Sequence, residues 1–215
     1  STLTPQMPDK KLIRSLKNIG FLKEQDQATY TPLTGGVASE IWKVETSEQV
    51  FCVKRALPKL KVAADWFVSS ERNRYEVTWC RIAREIVPGS APRILFQNEE
   101  EMLFCMEFLD PSYFPLWKNE LRNARVDPYQ AETIGRNLGK IHSASAKDKK
   151  IQKQFPRTDI FHAIRLEPYL EATASKHPDL SELLFNLSRE TAKNRPVMIH
   201  GDTSPKNIVL GLNGP

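Results

Sequence analysis

The sequence predicts an α+β protein in which the strands come mostly before residue 110 and the helices mostly after it. Residues 40–46 and 49–55 are apolar, β-branched and aromatic-rich runs joined by a short polar turn, a pattern typical of a β-hairpin. Residues 129–145 instead place apolar side chains at helical spacing along one face. This change of period indicates two regions built from different elements.

Two further strands are expected at residues 93–96 and 102–106, joined by an acidic turn over 97–101. Asp110-Pro111 should end the second strand region, because proline has no backbone N–H to donate to a ladder. The helices are expected at residues 8–19, 70–87, 129–145, 158–175 (interrupted at Pro168) and 179–192.

Composition favours an ordinary globular protein. Net charge is +5, but the lysines and arginines are scattered, and the densest cluster, at residues 147–153, lacks interleaved aromatics. We therefore expect no nucleic-acid partner. The sequence has no apolar run long enough to span a membrane and no visible signal peptide, so no membrane partner is expected either. Cys52, Cys80 and Cys105 lack metal-ligand spacing and lie in apolar settings, which indicates reduced core thiols in the cytoplasm.

The stretch from Val197 to Leu210 carries the chemistry. Residues 197–199 and 208–210 are short apolar runs that predict buried strands, with a polar loop between them. Transfer of a phosphoryl group to an alcohol needs a carboxylate for the hydroxyl proton and a neutral oxygen ligand for magnesium. Asp202 fits the first role and Asn207 the second. An ordinary surface loop that happens to contain both residues is the alternative.

His200, Gly201, Asp202, Pro205 and Asn207, followed by an apolar run, resemble the catalytic loop of the aminoglycoside phosphotransferase and choline kinase superfamily. That pattern is His-Gly-Asp, two residues, Pro, one residue and Asn. Protein kinases usually carry arginine in place of the glycine, so the resemblance favours a small-molecule kinase. It implies a bilobal protein-kinase-like fold that uses ATP and Mg²⁺.

Upstream residues resemble the nucleotide site of the same superfamily. Gly35, Gly36 and Ser39 look like its short Gly-Gly-x-x-Ser phosphate loop, with a plain hairpin turn as the alternative. Lys54 resembles the lysine that contacts the α- and β-phosphates. Its partner should be a carboxylate on the next helix, and Glu76, close to the apolar stripe, is our choice. The alternative is that Glu76 pairs with basic neighbours at the surface.

The break at Asp110 resembles the hinge between kinase lobes, here at about residues 106–110. The resemblance implies that Met106 borders the adenine and that the Glu107 carbonyl and the Leu109 amide bind it. In this superfamily the helices beyond the hinge bind the alcohol substrate. The candidate contacts there are Arg165, Glu167 and Tyr169.

The resemblance divides the chain into a nucleotide-binding lobe at 1–109 and a catalytic and substrate lobe at 110–215. It also implies a second metal-binding Asp on the strand after the loop, yet no acidic residue follows Asp202. Asn213-Gly214 indicates a hairpin turn, so the returning strand and its Asp are expected beyond Pro215. We therefore expect an incomplete C-terminal lobe, which as a fragment would be inactive. A pseudokinase without the metal site is the alternative.

The expected function is ATP-dependent transfer of the γ-phosphate to a hydroxyl of a small molecule. The alternatives are a choline-, sugar- or methylthioribose-type metabolic kinase and a non-catalytic nucleotide-binding scaffold. The basic charge, with few carboxylates between residues 111 and 200 outside helix surfaces, leans away from polycationic aminoglycosides as acceptors. The acceptor and the oligomeric state are left open by the sequence.

Overall fold

The computed structural model describes residues 6–33, 39–57 and 71–211. Its centre is a five-stranded antiparallel sheet in the order β1-β2-β3-β5-β4. The strands are β1 Thr29–Leu33, β2 Ser39–Glu45, β3 Val50–Ala56, β4 Ile94–Asn98 and β5 Leu103–Glu107. With the helices given below, the sheet confirms the predicted α+β class.

The four strands predicted before residue 110 lie within about two residues of their expected bounds, and β1 is an addition. Its sequence includes Pro32, which argues against a strand because proline cannot donate to a ladder. The sheet order resolves this, since β1 is an edge strand that pairs only with β2 in the part of the chain the structure describes.

The helices are α1 Lys10–Asn18, α2 Arg72–Ile86, α3 Trp117–Arg122, α4 Pro128–Ser145, α5 Lys149–Lys153, α6 Thr158–Phe161, a π-helix His162–Glu171, α7 Ala172–Lys176 and α8 Ser181–Lys193. Asp9 caps α1 by accepting a hydrogen bond from the Leu12 amide at 2.8 Å, and Gly20, at a φ of +82°, follows its end. The predicted interruption at Pro168 is a π-helix, in which the wider turn continues through the proline. The short helices α3 and α5 were not predicted, because five or six residues show no clear period.

Strand β3 contributes side chains to both faces of the sheet. Phe51 and Val53 are buried in a cluster that includes Leu12 and Leu16 of α1. Successive side chains of a strand point to opposite faces, so Lys54 faces the other side, where α2 packs against β3, β4 and β5.

A second buried cluster joins α2 and α4 to the segment before the predicted catalytic loop. It contains Ile82 and Ala83 from α2, Ile141 from α4, and Met198. This cluster holds the chain segment that precedes Asp202 against both helices.

The three cysteines are buried free thiols, as expected. Burial raises the pKa of Cys52 to about 11 and the pKa values of Cys80 and Cys105 to about 12. No helix among the described residues is long and apolar enough to cross a membrane.

The prediction of a strand at 197–199 is wrong. Within the described ranges these residues pair with no strand, because the Met198 amide donates instead to the side-chain oxygen of Ser145, at 2.9 Å. The run 208–210 contributes one isolated bridge, between Val209 and Leu116. Residues 213–214, where the hairpin turn is expected, lie outside the described residues, and the division into two lobes stays a prediction.

Candidate active site

The predicted catalytic loop, residues 200–207, is anchored on its N-terminal side by α4. The Ser145 hydroxyl accepts the Met198 amide proton and itself donates to the Ile141 carbonyl at 2.7 Å. The Met198 side chain is buried in the cluster between α2 and α4. These contacts fix the chain four residues before Asp202.

On its C-terminal side the loop is tied to the segment that leads into α3. The Trp117 amide donates to the Ile208 carbonyl, and the Leu210 amide donates to the Pro115 carbonyl, both at 2.9 Å. The chain is therefore held by backbone hydrogen bonds on one side of the loop and by a side-chain bond on the other.

Gly201 makes the turn that presents Asp202. Its φ is +85°, a left-handed conformation that a side chain disfavours. A Cβ atom there would lie 3.9 Å from the Phe161 ring, so space is available and the cost of a larger residue is in the backbone. The Gly201 carbonyl accepts a hydrogen bond from Nε of Arg165 at 2.7 Å.

The Asp202 carboxylate lies among positive charges. Its Oδ2 is 3.4 Å from the Arg165 guanidinium and 3.5 Å from Nζ of Lys206, and its Oδ1 accepts from the Ser204 hydroxyl at 3.3 Å. Partial burial raises the pKa of Asp202, but Arg165, Lys206 and the Asn207 amide lower it by more. The pKa therefore lies below its usual value, and Asp202 is ionised at neutral pH.

Asn207 lies on the same loop and faces Asp202. Its side-chain Nδ2 donates to the Asp202 backbone carbonyl at 2.9 Å, and its backbone amide donates to the Ser204 carbonyl at 2.8 Å. This orientation leaves the carboxamide oxygen available as a ligand. Together with the Asp202 carboxylate it offers the oxygen donors that Mg²⁺ prefers. Among the described residues no group of three or more His, Cys, Asp or Glu could hold a metal.

Lys54 and Glu76 form an ion pair between Nζ and Oε1, with the Lys54 side chain only 17% exposed. The structure thus brings together the lysine and the glutamate that the sequence paired. Glu71, the residue before α2, forms an ion pair with Arg157.

Trp79 lies on the face of α2 that carries Glu76 and contacts the predicted catalytic loop. It lies three residues after Glu76 on α2, so both side chains emerge from neighbouring positions of one face. The Trp79 and His200 rings meet edge to face at a centroid distance of 4.9 Å and an angle of 89°. Nδ1 of His200 accepts the Asp202 amide at 3.2 Å, and burial lowers the pKa of His200, which favours the neutral ring that this bond requires.

The predicted hinge follows β5. The Glu107 amide donates to the Arg93 carbonyl at 2.9 Å, and its carboxylate accepts the Arg93 amide at 2.7 Å. The Glu107 side chain thus points toward the start of β4. The adenine contact predicted for this residue is made by its backbone carbonyl and not by its side chain. The Leu109 amide donates to no residue in the described ranges. Met106 is half-buried at the end of β5.

Of the predicted phosphate loop, Ser39 begins β2 and is buried, whereas Gly35 and Gly36 lie outside the described residues. Among the predicted substrate contacts, Arg165 binds the catalytic loop itself, while Tyr169 is 62% exposed and Glu167 is partly exposed on the same π-helix. The sequence did not predict that Arg165 would hydrogen-bond to Gly201 or that Trp79 would contact His200.

A cleft of about 480 Å³ opens beside Asp202. One wall is the catalytic loop and the other is α3. The lining residues are Lys118, Leu121, Arg122, Asp202, Ser204, Pro205 and Lys206.

The chain is similar in sequence to known phosphotransferases. The sequence profile of the phosphotransferase enzyme family matches residues 29–215. A methylthioribose kinase of Escherichia coli O45:K1 (strain S88 / ExPEC) is 32% identical over 105 residues, which are 48% of this chain and 25% of that kinase. The match thus spans only a quarter of that relative's length. The family profile, by contrast, covers nearly the whole chain and all of the residues assembled around Asp202, and the protein belongs to the phosphotransferase enzyme family.

Proposed function

We propose that this protein transfers the γ-phosphate of ATP to a hydroxyl group of a small molecule. The observation that carries the proposal is the arrangement of Asp202 and Asn207 on one anchored loop, joined through the Trp79–His200 contact to the α2 face that carries Glu76. Family membership and the kinase relative support the same reaction class.

In this proposal Asp202 binds the acceptor hydroxyl and takes its proton as the hydroxyl oxygen attacks the γ-phosphorus. The bond from that phosphorus to the bridging oxygen breaks, and ADP leaves. The low pKa of Asp202 keeps it ionised and ready to orient the hydroxyl, so its main contribution is position rather than strong basicity. Lys54, held by Glu76, binds phosphate oxygens.

The carboxamide oxygen of Asn207 would hold Mg²⁺, which when bound neutralises phosphate charge. The Leu109 amide and the Glu107 carbonyl would bind adenine, beside Met106. Gly35, Gly36 and Ser39 would contact the phosphates.

Methylthioribose is the first acceptor to test, because the matched relative is a kinase of that sugar. Choline, simple sugars, D-gluconate as an anionic alcohol, and an aminoglycoside complete the panel. ADP release is measured with each acceptor, with and without Mg²⁺, for purified protein that includes the returning strand expected beyond Pro215, and ³¹P NMR identifies the product.

We expect Mg²⁺-dependent ADP release that requires an alcohol acceptor and yields a phosphate monoester. Nucleotide binding without turnover for any acceptor would instead indicate a non-catalytic nucleotide-binding protein. Absence of ATP binding would contradict both functions.

A further inference from the structure

We infer that the acceptor carries an anionic group, such as a carboxylate or phosphate, bound by Lys118 and Arg122 in the cleft beside Asp202. This inference rests on the proposed function, because it names the class of alcohol that reaches Asp202. It concerns the acceptor and not the nucleotide.

The cleft lies where an acceptor would have to bind. It has a volume of about 480 Å³ and is open to solvent. Asp202 belongs to one wall, so a molecule in the cleft has its hydroxyl groups near the carboxylate. Lys118, Leu121 and Arg122 form the opposite wall at i, i+3 and i+4 of α3, which places all three on one face.

The two walls are joined by backbone hydrogen bonds. The Trp117 amide, just before Lys118, donates to the Ile208 carbonyl just after Asn207, at 2.9 Å. The bridge between Leu116 and Val209 reinforces this connection. The position of α3 beside the loop is therefore fixed by main-chain hydrogen bonds.

The charges of the cleft are unbalanced. Lys206 already pairs with Asp202, at 3.5 Å. Lys118 and Arg122 are exposed and make no ion pair with any residue of the described ranges. Glu120, the carboxylate of α3, pairs with Arg125 through two contacts of 2.6 and 2.8 Å and does not neutralise them.

Like charges at i and i+4 of a helix repel and destabilise it. Lys118 and Arg122 have this spacing, and their repulsion is relieved when an anion binds between them. A polycationic acceptor would meet the opposite effect. The chemistry of the cleft therefore selects an alcohol that bears negative charge, with Leu121 offering an apolar contact.

The inference is tested by binding of three polyhydroxyl probes of matched size: D-gluconate, D-glucose and D-glucosamine, which are anionic, neutral and cationic. Dissociation constants are measured by calorimetry at constant ionic strength, with the protein saturated by a non-hydrolysable ATP analogue and Mg²⁺. We expect gluconate to bind more tightly than glucose, and glucosamine to bind most weakly.

In the double variant Lys118→Ala/Arg122→Ala the gluconate dissociation constant should rise roughly 4- to 25-fold, since one exposed ion pair contributes about 2- to 5-fold. Binding of glucose and of the ATP analogue should stay unchanged. Alanine favours the helix, and both side chains are exposed, so α3 should be retained. The control is Arg189→Ala/Lys193→Ala, which removes the same two charge types from exposed positions of α8.

The inference is overturned if gluconate binds no better than glucosamine, including the case in which neither binds. It is also overturned if the α3 variant weakens the ATP analogue instead of gluconate, which would make the cleft a nucleotide phosphate site. Failure of the proposed function gives a different result, in which gluconate is selected but the ATP analogue does not bind or ATP is not turned over.

Discussion

Replacing Arg165 with methionine removes the guanidinium that holds the catalytic loop and keeps much of the side-chain length. Nε of Arg165 donates to the Gly201 carbonyl at 2.7 Å, and its terminal nitrogen is 3.4 Å from the Asp202 carboxylate. Arg165 thus fixes both the turn before the carboxylate and the carboxylate itself. We expect it to act as a positioning residue for Asp202.

The magnitude follows from the hydrogen bond to Gly201. A hydrogen bond with a charged donor contributes about 1.5–3 kcal/mol. If that contribution is lost in the transition state, kcat falls by roughly 10- to 150-fold. The KM for ATP should change little, because Lys54 and Glu76 do not contact Arg165 in the described structure.

A pH profile separates this role from a general loss of stability. After the opposing effect of burial, Arg165 is the first of the charges that lower the pKa of Asp202. Its removal raises that pKa, so the ionised carboxylate is lost at a higher pH and the acid limb of kcat moves upward. Lys206 remains beside the carboxylate and limits the shift.

The assay is kcat as a function of pH, with the melting temperature measured alongside. Arg136→Met is the control, because Arg136 is an exposed arginine of α4 that pairs only with Glu132, four residues earlier, among described residues. If Arg165→Met has the wild-type kcat and an unmoved acid limb, Arg165 does not position Asp202.

Three further predictions concern the framework. Lys54→Met and Glu76→Gln should each weaken ATP binding or turnover, with sub-additive effects in the double variant because they remove the same pair; simple additivity would contradict a shared site. Gly201→Ala should lower the free energy of unfolding, measured by urea titration, by about 1–2 kcal/mol, because the φ of this residue is +85°. Unchanged stability would show that this position does not require glycine. Asp9→Ala should lower the free energy of unfolding by about 0.5–2 kcal/mol through loss of the α1 cap, whereas Asp9→Asn keeps the cap and loses the ion pair with Arg55. The Arg55 hydrogen bond is the main cause that lowers the pKa of Asp9 from 3.8, so its charged form stabilises the fold above that pH, and this stabilisation is lost as the pH falls through the lowered value. That pH dependence should be absent in Asp9→Asn, and its persistence would assign it to another group.

Local patterns in the sequence predicted the parts of the fold that repeat with a regular period. The hairpin of β2 and β3 and the helix α2 follow from alternation and helical spacing, and the choice of Glu76 followed from its position beside the apolar stripe of α2. The strand β1 was missed because Pro32 obscures the pattern, and only the sheet order shows that this strand lies at an edge.

The contacts that hold the catalytic loop come from residues distant in sequence, which no local pattern reveals. Ser145 is 53 residues before the Met198 amide that it binds, and it replaces the strand partner expected for residues 197–199. Arg165 is 36 residues before Gly201 and reaches the loop from a π-helix. Sequence spacing predicted Asp202 and Asn207 as site residues, whereas the residues that hold their loop required the three-dimensional structure.

Asp202→Asn tests the central claim most directly, because asparagine keeps the size of the side chain and removes the negative charge that, in the proposed function, orients the acceptor hydroxyl and accepts its proton. The rate of phosphate transfer from ATP to the acceptor is measured for the wild type and the variant, together with the dissociation constant of ATP. The account predicts that kcat falls roughly 10²- to 10⁴-fold, the usual contribution of a positioned base, while ATP binds with nearly unchanged affinity. An unchanged kcat would remove Asp202 from the mechanism and contradict the proposed site.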